Sequence, residues 1–164
     1  MTPGADDRWH EILLCGPDRT DAFGEWLGAR LRPGDTVLLS GELGAGKTHL
    51  ARAAIRSATG TAEEVPSPSF TLVQTYDAPE FPVVHADLYR LPQGADTEEL
   101  GLADAAEGGV LLIEWPERAA VLPGDALRLT LSPEPGNHGA RRLRLSSRAD
   151  RWAPVIAAAK AAPW

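Results

Sequence analysis

Thr36-Val37-Leu38-Leu39-Ser40-Gly41-Glu42-Leu43-Gly44-Ala45-Gly46-Lys47-Thr48 decides the fold. Its first five residues form a short apolar run, the pattern of a strand covered on both faces. The next eight satisfy G-x-x-x-x-G-K-[ST], and Lys47 to about Ala58 then carries helical spacing until Gly60. Strand, glycine loop and helix in that order make a phosphate cradle. The glycines let successive backbone N–H groups point into one concavity, and the positive end of the following helix adds its partial charge. Glu42, Leu43, Gly44, Ala45, Gly46, Lys47, Thr48 and His49 are therefore the candidate nucleotide-binding residues. Lys47 reaches the terminal phosphates as a point charge, and the Thr48 hydroxyl is placed to ligate the magnesium ion that bridges them. Glu42 is compatible with this role if its side chain points away from the phosphates.

Outward from the loop, Phe23, Leu27 and Leu31 have helix-compatible spacing over Asp18 to Leu31, with Asp18 or Thr20 as cap and Pro33-Gly34 as stop. Pro66-Ser67-Pro68-Ser69 reads as a loop, because two prolines with restricted neighbours do not sit inside a regular element. Phe70 to Tyr76 and Val83 to Ala86 read as strands, Asp96 to Leu102 as a short helix capped by Asp96, and Val110 to Ile113 as a second fully apolar strand. Leu127, Leu129 and Leu131, then Leu143 and Leu145, alternate with polar residues around a turn-rich stretch and predict a half-exposed hairpin. Ala153 to Ala162 predicts a closing helix. The sum is one three-layer α/β domain over residues 1–164, P-loop NTPase-like, with a mixed parallel and antiparallel sheet.

The 164 residues suit one domain, and 43% hydrophobic with 24% charged residues is a globular composition. No apolar run approaches the roughly 20 residues of a spanning helix, and the acidic start MTPGADDRWH does not resemble a signal peptide. A cytoplasmic protein is expected, with no membrane association. One cysteine, Cys15, cannot make an internal disulfide, and it offers no zinc-ligand spacing with the four histidines. His10 and His49 read as structural.

The net charge of −7 argues against binding bulk nucleic acid through a general basic surface. Between Gln93 and Asp125 there are eight acids (Asp96, Glu98, Glu99, Asp104, Glu107, Glu114, Glu117 and Asp125) against Arg118 alone, which accounts for the whole net charge. Arg141, Arg142, Arg144, Arg148 and Arg151 form a basic cluster, either a solvated face or a docking patch for an acidic partner or RNA.

A phosphate loop needs a second carboxylate at a neighbouring strand end, to hold the metal's water shell or to position the attacking water. Glu114 directly follows an apolar strand and emerges at its C-terminal edge, where open α/β sheets bind ligands. Asp87, in His85-Ala86-Asp87-Leu88-Tyr89-Arg90, also follows a strand, and the sequence leaves open which of the two is the base. Ser67, Ser69 and Thr71 are candidate sensors of the terminal phosphate in a switch-like loop, or parts of a rigid one. Arg90 and Arg118 are candidates for stabilising transition-state charge, or ion-pairing surface arginines. Adenine follows by elimination: the N-K-x-D guanine motif is absent, since the sole asparagine, Asn137, precedes His138.

Taken together, the motifs Gly41 to Thr48, Ser67-Pro68-Ser69-Phe70-Thr71-Leu72-Val73, His85 to Leu91, Glu98-Glu99-Leu100-Gly101-Leu102 and Gly109 to Arg118 resemble the TsaE (YjeE) family. These are small ATPases of bacterial tRNA threonylcarbamoyladenosine synthesis, and the likeness covers about residues 36 to 120. It implies ATP hydrolysis that is slow alone and is used on TsaB- and TsaD-type partners, resetting their complex between turnovers while TsaD modifies the adenosine beside the anticodon. Contact with tRNA would then be indirect. Carried over by position, Lys47 and Thr48 bind phosphate and magnesium, Glu114 is the Walker B-like carboxylate and Asp87 is a second required carboxylate. By the same resemblance Ser69 and Thr71 lie in the switch-like loop, and Trp115 flanks the nucleotide site or a partner surface. Two residues depart from the family pattern. Ser69 stands where threonine is usual, keeping the hydroxyl but losing a methyl, and His49 stands where a small hydroxyl residue is common.

Two rival functions compete: a small-molecule P-loop kinase with Arg141, Arg142 and Arg144 as lid arginines, and a nucleotide-gated binding module without required turnover. Leucines alternating with those arginines predict a strand, whereas a lid needs a mobile segment.

Overall fold

Prolines, glycines and the buried apolar runs partition the chain into strands β1 (Arg8–Cys15), β2 (Thr36–Gly41), β3 (Val73–Tyr76), β4 (Val83–Asp87), β5 (Val110–Glu114), β6 (Leu127–Glu134) and β7 (Asn137–Ser147), interleaved with helices α1 (Pro17–Gly28), α2 (Lys47–Thr59), α3 (Leu102–Gly108) and α4 (Ala153–Ala161). The computed structural model describes residues 8–62, 64–68 and 70–164; Ser69 of the expected switch-like loop lies outside them. Among the described residues the strands form one seven-stranded sheet in the order β1-β7-β6-β2-β5-β4-β3. β2 runs parallel to both β5 and β6, and β5 parallel to β4, whereas β1–β7, β6–β7 and β3–β4 are antiparallel. The mixed α/β fold expected from the sequence is the fold observed.

Because β2 and β5 are buried on both faces, their apolar runs feed two cores. On one face Val37, Leu39, Leu112, Leu129 and Leu145 pack under α1, α2 and α4 with Phe23, Leu50, Ile55, Trp152 and Ile156. On the other, Leu38, Leu111, Ile113, Val84 and Ala86 meet, among the described residues, only Leu102 of α3, Leu88 and Ala126 as buried partners. α1 lies directly on α2: a Cβ at Gly24 would come within 2.6 Å of Ala53 Cβ, and one at Gly28 would collide with the Ala54 carbonyl. Those two glycines set the distance between the helices.

Several local expectations need correction. α1 begins at Pro17 with Gly16 as N-cap, and neither Asp18 nor Thr20 caps it, because proline is preset for the first helical position and moves the start forward. It ends at Gly28, before Leu31, which still reaches the core. β3 starts at Val73, three residues later than expected: Leu72 has φ 63°, and the Thr71 and Leu72 N–H groups both donate to the Pro68 carbonyl in a turn. The helix expected over Asp96–Leu102 is only a 3-10 turn at Glu98–Leu100, because Gly101 turns left-handed at φ 68° and a new helix starts after it. Asp96 does accept the Glu98 N–H, at 2.9 Å.

β1 was not anticipated. Ile12 and Leu14 are buried but Leu13 between them is exposed, so the apolar run hides its alternation, and its partner β7 lies more than a hundred residues away in sequence. The arginine cluster is largely neutralised within the fold. Arg144 pairs with Glu11 at 2.6 Å, Arg142 with Glu134 at 2.9 Å and Arg151 with the buried Asp35 at 2.6 Å, while Arg141 donates to the His138 and Ala140 carbonyls.

Candidate functional site

At the C-terminal end of β2 the chain turns through Gly41, Gly44 and Gly46, with φ of 149°, 79° and 104°, before α2 begins. Only glycine adopts these values cheaply, and they leave the backbone of the loop lining a cleft of about 350 Å³ with Lys47, Thr48, Asp87, Glu114 and Trp115. Glu42 is exposed.

Lys47 is buried, and its Nζ donates to the carbonyls of Gly41 at 2.6 Å and Glu42 at 2.8 Å. The same ammonium stands 4.1 Å from the Trp115 ring centre. Burial lowers its pKa, and the charges of Glu114, Glu117 and Asp87 work in the opposite direction.

Strand register brings the carboxylates together. Leu39 of β2 and Asp87 of β4 both lie opposite Glu114 of β5, so β4 and β5 end at one level, two residues before β2 runs into the loop at Gly41. The Thr48 hydroxyl donates to Glu114 Oε1 at 2.6 Å. His85 Nε2 lies 2.7 Å from Glu114 Oε2, and both side chains are buried. Nε2 donates to this oxygen in the tautomer that carries the ring proton there; among the described residues Nδ1 has no partner. Asp87, also buried, accepts the Tyr89 N–H at 3.0 Å. Trp115 is held at φ 57°, its N–H donating to the Leu39 carbonyl, and its ring contacts Tyr89 with centroids 4.8 Å apart.

Lys47, Thr48, Asp87, Glu114 and Trp115 thus converge, and Leu43 to His49 line the same cleft. The His49 ring lies 2.9 Å from Asp21 on α1. Arg90 and Arg118 are not among the cleft-lining residues: Arg90 stacks on Phe70 at 4.5 Å, and Arg118 lies 5.8 Å from the Tyr89 ring and donates to the Leu91 carbonyl. Nor do Ser67 and Thr71 line it. Three residues of the site escaped the sequence reading: Arg52, Tyr89 and His85. Arg52 lines the cleft, and its place one turn beyond Thr48 on the same helix face was the available signal. His85 lies two residues before Asp87, hence on the same side of β4, which alternation could have suggested.

The arrangement offers backbone and ammonium donors for phosphate oxygens, a hydroxyl and carboxylate for a hard cation, and a second carboxylate for a water. Among the described residues no helix is long and apolar enough to cross a membrane.

Comparison with known proteins places the chain in a family. The family described as "Threonylcarbamoyl adenosine biosynthesis protein TsaE" matches residues 15–143. The protein named tRNA threonylcarbamoyladenosine biosynthesis protein TsaE in Nostoc sp. is 35% identical over 146 residues, covering 85% of this chain and 87% of its own length. Its namesake in Streptomyces coelicolor is 38% identical over 139 residues, 80% of this chain and 92% of its own. That of Rickettsia bellii is 41% identical over 107 residues, 65% of this chain and 74% of its own. The crystal structure of Bacillus subtilis YdiB aligns with a TM-score of 0.74 at 25% identity, over 94% of this chain and 95% of that one. With the strand–loop–helix cradle, the paired strand-end carboxylates and these matches in hand, the chain belongs to the TsaE family of threonylcarbamoyladenosine biosynthesis proteins.

Proposed function

We propose that this protein is an ATPase of the tRNA threonylcarbamoyladenosine machinery, which binds ATP with magnesium and hydrolyses it to reset TsaB- and TsaD-type partners between turnovers. The observation that carries the reading is the meeting of Thr48, Glu114 and Asp87 beside the Lys47 loop. A hydroxyl and a carboxylate 2.6 Å apart are hard oxygen donors of the kind magnesium takes, so the residues fit that ion. When bound, magnesium supplies charge neutralisation on the phosphates.

In this reading the loop N–H groups hold the phosphates, and Lys47 exchanges its two carbonyl acceptors for phosphate oxygens. Glu114 serves the metal, since Thr48 engages one of its oxygens and His85 the other. That leaves Asp87, its register neighbour, to orient the attacking water and take its proton. The water oxygen bonds to the γ-phosphorus as the bond to the ADP oxygen breaks, and ADP leaves with that electron pair. ATP is favoured over GTP because the one asparagine, Asn137, opens β7 just after the β6–β7 turn, where its side chain accepts the Gly139 N–H. The net charge of −7 and the paired arginines support an indirect relation to tRNA, and a cytoplasmic site of action goes with that substrate. A kinase lid is disfavoured, because Arg141, Arg142 and Arg144 lie in the regular strand β7.

The test is multiple-turnover formation of threonylcarbamoyladenosine with purified TsaB- and TsaD-type partners, with ATP hydrolysis followed in the same tubes. Wild type should sustain turnover and hydrolyse faster with partners, and Lys47→Ala should do neither. Equal product without this protein sinks the proposal. Sustained turnover by a Glu114→Gln variant that no longer hydrolyses ATP would favour a nucleotide-gated binding module instead.

A further inference from the structure

The two faces of the sheet are covered unequally. Three helices pack on one, whereas the other receives a seven-residue helix, α3, and the irregular stretch 119–123. Between these two lies a groove of about 490 Å³ whose floor is Leu111 and Ile113 of β5 and whose walls are Leu102, Val121 and Leu122. Val121 is 81% exposed, although its neighbours line an apolar surface. Asp96 and Glu98 stand at the rim. Beyond the lining itself, Glu99 follows Glu98, Asp104 and Glu107 are on α3, and Asp125 comes two residues after Pro123.

Among the described residues none of these six carboxylates forms an ion pair. Arg118, the one base from Gln93 to Asp125, is committed to Tyr89 and the Leu91 carbonyl. An apolar trough inside an uncompensated acidic rim selects its occupant by charge. A second copy of this chain seated symmetrically would place acid against acid, and nucleic acid or an anionic membrane would be repelled. A small lipophilic ligand would make no use of the rim.

We propose that this groove docks an amphipathic segment of a partner protein, apolar on the side that enters the trough and carrying lysine or arginine on its flanks. Such a segment buries Val121 and the β5 floor while its cations meet the rim. The groove shares no lining residue with the Lys47 cleft, so docking does not depend on the chemistry proposed there.

The test uses a labelled amphipathic peptide of roughly 14 residues built from leucine and lysine, long enough to fold on contact, beside a leucine–glutamate counterpart. Fluorescence anisotropy follows binding to the full chain, to Val121→Ser and to the double variant Glu98→Lys/Asp104→Lys, each first shown to be folded by circular dichroism. Wild type should bind the lysine peptide and ignore the glutamate one, and binding should weaken in about 0.5 M salt, where rim charges are screened. Each variant should bind about tenfold or more weakly, the scale of one lost anchor. The proposal is overturned if wild type does not bind, if variants bind as tightly as wild type, or if both peptides bind alike. A concentration-dependent dimer that Val121→Ser abolishes would assign the groove to a second copy and overturn it too.

Discussion

His85 Nε2 and Glu114 Oε2, on adjacent parallel strands, are 2.7 Å apart and shielded from solvent, so the carboxylate at the head of β5 is held from behind by an imidazole and from the front by Thr48. Removing the imidazole leaves a buried charge short of a donor. His85→Ala should cost about 1–3 kcal/mol of stability, the penalty of an unsatisfied buried acceptor. It should also lower kcat for ATP hydrolysis by about tenfold with a smaller change in KM, as for a lost orienting contact. Thermal unfolding with steady-state kinetics checks both halves, and His85→Gln should recover part of the loss.

Thr48 is expected to tolerate serine and not alanine. Serine keeps the hydroxyl that faces Glu114, while alanine removes it and leaves Oε1 unpaired. Magnesium-dependent nucleotide affinity, measured by calorimetry, should fall by about tenfold or more in Thr48→Ala, the scale of about 1.4 kcal/mol. In Thr48→Ser it should stay within a few-fold.

Lys47 carries a pH signature. Its folded-state pKa lies below 10.5, so between that lowered value and 10.5 the unfolded chain binds more protons, and stability rises with pH. Wild type should therefore gain stability relative to Lys47→Met as the pH climbs from neutral towards 10.5. Denaturant unfolding of both proteins across that range reads the difference, and a constant gap would refute the assignment.

Arg151 guards Asp35. The carboxylate is buried beneath the β2 start and meets the guanidinium through two contacts, at 2.9 and 2.6 Å, besides accepting the Arg32 N–H. Arg151→Ala should destabilise by about 2–4 kcal/mol, since it strands a buried charge, whereas Arg19→Ala, at an exposed position of α1, should change little. Urea denaturation of the two variants separates them.

The glycine loop and both carboxylates were legible because their signals are local: a motif read from consecutive residues, and acids placed directly after apolar runs. Contacts made across the sheet were not. Alternation puts His85 on the side of Asp87 and helical spacing puts Arg52 one turn beyond Thr48, but the bond of His85 to Glu114 exists only once β4 and β5 are in register, and the cleft beside Arg52 only once the loop and strands meet. β1 was obscured by Leu13, and the late start of α3 by one left-handed glycine. Arg90 and Arg118 carry charge that fits a phosphoryl-transfer site, yet aromatic rings claim them, a choice that composition does not encode.

The contact of α1 with α2 has a practical side. Replacing helix glycines with alanine is an ordinary route to a sturdier protein, because it trims the freedom of the unfolded chain. At Gly24 and Gly28 that route is closed, since the added methyl would land on Ala53 and on the Ala54 carbonyl. α2 also presents Lys47 and Thr48 from its first turn. An engineer who thickened the neighbouring helix would push back the one that carries them, so the reach of the lysine is calibrated by two hydrogen atoms some twenty residues upstream.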